Sequence, residues 1–139
     1  MGLFPDTPPA GLISLKSSLP AKDATSRLVQ AIESKGLTVF CRVDHAAGAA
    51  AVGLDLRPTE VVIFGNAQGG TPLMQVTQTI GIDLPLKVLI WQDAGGQVWL
   101  SYNDPVWLAE RHGIDPAHRG PANAMRTLLT AVTGAAAMP

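Results

Sequence analysis

Apolar and polar positions alternate weakly from Leu12 to Ser17, which reads as a first or edge strand ended by Pro20. From Ala21 to Lys35 the period lengthens. Ala24, Leu28, Ala31 and Ile32 share a helical face, Lys22, Arg27 and Glu33 lie elsewhere, and Gly36 stops the helix. Leu37 to Val43 is the clearest alternating strand, with Leu37, Val39, Cys41 and Val43 on one face. Asp44 then caps an alanine-rich helix, His45 to Val52, whose small side chains allow close approach to the sheet or to a second subunit.

The run Val61-Val-Ile-Phe64 is continuously apolar and β-branched, as in a strand covered on both faces. Gly65 to Gly70 reads as a glycine-rich turn. Thr71-Pro72 reads as the start of a helix carrying Leu73, Val76 and Ile80 on one face and ending at Gly81. Leu86 to Trp91 and Gln97 to Tyr102 are strands joined by the hairpin signal Asp93-Ala-Gly-Gly. Asn103-Asp104-Pro105 starts a short helix to His112, and Ala117 to Ala137 is helical in composition. The order β-α-β-α-β-α-β-β-α-α predicts one α/β (α+β) domain over residues 12–139, a mixed β-sheet packed by helices. Residues 1–11 read as an irregular lead-in.

Composition narrows the functional classes. Hydrophobic residues make up 47% of the 139 positions and charged residues 15%, so the core is large or some surface is covered in an oligomer. A net charge of −1 with dispersed Lys and Arg gives no electrostatic case for nucleic acid or an anionic membrane. Cys41 is the sole cysteine, so no intramolecular disulfide forms, and its alternation predicts a core thiol. No run of about 18 apolar residues predicts a membrane span. No basic region followed by an apolar run suggests a signal peptide. A cytoplasmic protein is the default expectation.

Several short motifs occur in order: Asp44-His45-Ala-Ala-Gly, Pro58-Thr59, Phe64-Gly65-Asn66, Gly70-Thr71-Pro72-Leu73-Met74, Asp83-Leu84-Pro85-Leu86-Lys87 and Ser101-Tyr102-Asn103-Asp104-Pro105. Over about residues 12–113 the chain resembles the domain-of-unknown-function 302 family. The resemblance implies a small α/β fold, a homodimer and a bacterial or archaeal source, and implies no reaction. Ala67 stands where many members carry proline after Gly-Asn, and the helix after Gly113 is longer than the resemblance explains.

Candidate chemistry centres on Gly65 to Met74. A strand, a turn and a helix N-terminus gather backbone N–H groups where anions bind, although neither the phosphate-loop nor the dinucleotide pattern is present. Gly65, Asn66, Gly70, Thr71, Met74 and Asp83 are the candidate ligand-binding residues. His45, at a helix start, suits a neutral base or a haem ligand, or else packs structurally. Lys87 interrupts an apolar strand and either reaches solvent or enters a pocket, and Tyr102 is the only tyrosine. Cys41, His45 and Met74 lack a recognised metal-ligand spacing, so no metal site is predicted and no cofactor follows. Asp104 reads as a helix cap, Arg42 as a partner for a ligand carboxylate, and His112 and His118 as helix-end and loop residues. No nucleophile–base pair is evident. Three readings remain open: a small-molecule binding domain with His45 and Tyr102 walling its pocket; a cofactor-independent enzyme with His45 as general base and Lys87 or Tyr102 as electrophilic partner; and a dimeric structural or interaction module.

Overall fold

The computed structural model describes residues 8–139, so the first seven positions of the lead-in lie outside the described residues. In chain order the elements are β1 (Leu12–Ser17), α1 (Ala21–Ser34), β2 (Thr38–Asp44), α2 (His45–Ala51), β3 (Thr59–Gly65), α3 (Ala67–Val76), a 3-10 helix (Gln78–Asp83), β4 (Leu86–Gln92), β5 (Val98–Asn103), α4 (Pro105–Arg111), a 3-10 turn (Pro116–His118) and α5 (Gly120–Ala137). The strands form one sheet in the order β1-β5-β4-β3-β2.

All four pairings are antiparallel. The α+β class holds, while the expected mixture of parallel and antiparallel strands does not. β2, β3, β4 and β5 are sequential neighbours, so each connection reverses the chain even where a helix intervenes. Only α1 travels across the sheet, from edge strand β1 to the opposite edge strand β2.

The helices cover one face. Val62, Phe64, Val88, Ile90 and Leu100 of the sheet meet Leu28 and Ile32 of α1 and Leu129 and Val132 of α5, all at 1% exposure or less. Each such side chain contributes about 1.5–3 kcal/mol by leaving water. The register turns Ile63, Lys87, Leu89, Trp91 and Trp99 to the other face, where they are half-buried. There Trp91 and Trp99 stack at 6.0 Å, and Lys16 Nζ lies 5.7 Å from the Trp99 ring centre. The apolar run of β3 is therefore buried on one side only.

A bulge in β2 changes its phase. Val39 pairs with Phe64, but Cys41 pairs with Ile63, so Phe40 is the extra residue between them. Cys41 and Val43 consequently leave the face that Val39 occupies, and the expected core thiol is exposed.

Candidate functional site

Asn66 opens α3 five residues earlier than the Thr71-Pro72 signal suggests. Its Oδ1 accepts a hydrogen bond from the Gly69 amide at 2.7 Å, satisfying a first-turn donor, and Pro72 lies inside the helix. Gly69 and Gly70 are therefore helical residues rather than turn residues. The turn reduces to Gly65, whose φ of 153° favours glycine, and Asn66. α3 ends at Val76, and Gly81 belongs to the following 3-10 helix.

A cleft of about 250 Å³ opens at this end of β3. Phe40, Gly65, Asn66 and Ala67 line one part of it, Gly70, Met74 and Gly81 another, and Leu84, Pro85 and Leu86 close it. Among the described residues Asn66 carries the only polar side chain of the lining, and its Oδ1 is committed to the Gly69 amide. Glycine makes the space. A Cβ at Gly70 would lie 3.4 Å from Leu84 Cδ1 and 3.6 Å from Met74 Cε, and one at Gly81 would lie 3.3 Å from Met74 Sδ.

Gly65, Asn66, Gly70 and Met74 thus come together, whereas Thr71 is exposed outside the lining. His45 does not join them. It follows Asp44, which pairs with Glu60, whereas the turn begins at Gly65, which pairs with Thr38. Six residues of strand separate the two ends, about 20 Å. Tyr102 is buried on the helix-covered face, paired with Ile13, and does not wall the cleft. Lys87 lies on the open face, its Nζ donating to the Pro85 carbonyl at 3.2 Å. His45, Lys87 and Tyr102 therefore do not converge on one catalytic centre. Cys41, His45 and Met74 do not converge either, and among the described residues no group of three or more His, Cys, Asp or Glu side chains could hold a metal. Arg42 pairs with Glu60 at 2.8 Å.

Asp83 belongs to a second cluster. Its Oδ2 lies 2.6 Å from Arg111 Nη1 and 2.6 Å from His112 Nε2, and His112 Nδ1 lies 3.0 Å from Thr79 Oγ1. Burial pushes the Asp83 carboxyl up, but hydrogen bonds from His112 and Arg111 and their charges outweigh it, and the group sits below the ordinary carboxylate range. This pairing of a hydroxyl with a base was invisible in the sequence because 33 positions separate Thr79 from His112. Asp104 caps α4 through the Val106 amide at 3.0 Å, as expected. The Arg126 guanidinium also binds it and holds it below its usual value.

These features define a small α+β domain, one helix-covered antiparallel sheet with an apolar cleft at a strand end. The chain belongs to the family described as "Domain of unknown function DUF302", whose pattern matches residues 13–134 and so takes in nearly all of α5. The fold is similar to that of an uncharacterized conserved DUF302 protein from Bacillus stearothermophilus. The TM-score is 0.81 at 20% identity, covering 91% of this chain and 98% of that one. Two curated relatives are each 50% identical over 105 residues, 76% of this chain. Both carry the name "Fluoride-specific ion channel FluC 1", from Brucella suis biovar 1 (strain 1330) and Brucella abortus biovar 1 (strain 9-941). The matched segment spans 41% and 39% of those proteins. Among the described residues of this chain, no helix is long and apolar enough to cross a membrane.

Proposed function

We propose that the domain binds a small, uncharged and largely apolar molecule in the cleft beside α3. The observation that carries this reading is the placement of glycine at 65, 70 and 81, where side chains would occupy the space. A glycine inside a helix costs about 1 kcal/mol relative to alanine, so Gly70 leaves room in the cleft and weakens α3. The apolar lining disfavours the anion that a helix N-terminus first suggests, because an ion would lose its hydration without a charged partner. Native mass spectrometry of freshly purified protein tests the proposal. A retained small molecule that disappears in Gly70→Leu supports it; a retained molecule that survives Gly70→Leu places binding elsewhere.

A second reading, self-association, is favoured by the surface around α2. That helix has no buried residue, and Val52, Leu54 and Leu56, which follow it, are 47–72% exposed. An apolar surface beside an unpaired sheet edge favours contact with another protein surface, and a second copy of the chain is the occupant we infer. Light scattering tests it: a mass near 14.5 kDa at all working concentrations contradicts a homodimer.

A further inference from the structure

We propose that Thr79 is a hydroxyl nucleophile that accepts an acyl group from small activated esters and thioesters, with His112 as its general base. Asp83 is the positioning residue. An ionised carboxylate only accepts hydrogen bonds, so His112 Nε2, 2.6 Å from Asp83 Oδ2, carries the ring proton. In that tautomer Nδ1 presents its lone pair to Thr79 Oγ1 at 3.0 Å, and the hydroxyl donates to it. Arg111, on the same carboxylate oxygen, helps to keep Asp83 ionised.

Burial is graded along this chain of groups. The His112 and Asp83 side chains are only 10% and 17% exposed, while Thr79 is exposed. The base and its support are shielded, and the residue that carries the hydroxyl is exposed, where a substrate can approach it. An ion pair that merely tied the 3-10 helix to the end of α4 would need Asp83, Arg111 and His112 but not Thr79. None of Thr79, Asp83 and His112 lines the proposed binding cleft, although Gly81 of the same 3-10 helix does.

In the reaction Thr79 Oγ attacks the acyl carbon while its proton passes to His112 Nδ1. The bond to the leaving group breaks, and the departing thiolate or alkoxide takes that proton. The products are acyl-Thr79 and a free thiol or alcohol. Water, deprotonated by the same Nδ1, then releases the carboxylic acid and restores the hydroxyl.

Incubation with p-nitrophenyl acetate followed by peptide mass analysis tests the assignment. One acetyl group is expected on Thr79, absent in Thr79→Val, retained in Thr79→Ser and formed at least about tenfold more slowly in His112→Gln. The wild-type rate should rise with pH through a single ionisation to a plateau, a readout that does not depend on how the variants fold. Acetylation confined to lysines or the amino terminus overturns the proposal. So does equal labelling of Thr79 in His112→Gln, or a wild-type rate that follows hydroxide without a plateau.

Discussion

Gly70→Ala separates what holds α3 together from what the cleft is for. Gly70 is an interior helical residue without positive φ, so alanine is compatible with its backbone. Replacing glycine there recovers up to about 1 kcal/mol of helix propensity. The new methyl would stand 3.4 Å from Leu84 Cδ1 and 3.6 Å from Met74 Cε, ordinary contacts with the ends of two flexible side chains. The net expectation is a gain of about 0.5–1 kcal/mol, a rise of a few degrees in Tm. The same methyl fills about 30 Å³, one water's share of volume, in a cleft of about 250 Å³. Affinity for an apolar probe should therefore fall while stability rises, and Gly70→Leu should abolish binding. Differential scanning calorimetry and a probe titration on the same samples read both quantities. A Gly70→Ala protein that melts below wild type refutes the packing argument, and unchanged affinity in Gly70→Leu refutes the cleft.

Gly11→Ala should be strongly destabilising, because φ is +76° and the added carbon would overlap the Trp107 ring. A loss of at least about 2 kcal/mol is expected in urea denaturation. Asp104→Ala removes the α4 cap and the Arg126 pair, and should cost about 1–2 kcal/mol in the same assay. Asp83 and Asp104 both titrate below the ordinary carboxylate value in the fold. Their contribution is complete above that value and is lost as pH falls through the lowered ones. Thermal melts below about pH 4 should show this loss, and Asp83→Asn should flatten the acid limb. Leu54→Asp should shift any dimer to monomer in sedimentation without lowering monomer stability, since Leu54 is 64% exposed.

Local pattern carried most of the secondary structure. β1 runs over the alternating residues Leu12–Ser17, and α1 ends one residue before the predicted Lys35. Glycine, aspartate and proline signals placed α2, α4 and the β4–β5 hairpin within a residue or two. What failed depends on partners. The β2 bulge exists only in the pairing with β3, so the sequence alternation put Cys41 on the wrong face. At the start of α3 two capping signals compete, and Asn66 prevails because its oxygen reaches the Gly69 amide. The sheet reads as mixed when helices are assumed to cross it, whereas α2 and α3 join antiparallel neighbours. Four of the six ligand-binding candidates line the cleft because a contiguous strand–helix junction keeps them together. His45, Lys87 and Tyr102 were grouped by chemistry alone, and the register separates them.

The most direct test of the cleft follows the Met74 methyl and the Gly65, Gly70 and Gly81 amides by NMR during titration with indole. The account predicts saturable shifts at these four residues in wild type and none in folded Gly70→Leu. Shifts that never saturate, or that fall instead on the exposed apolar residues around α2, would contradict it.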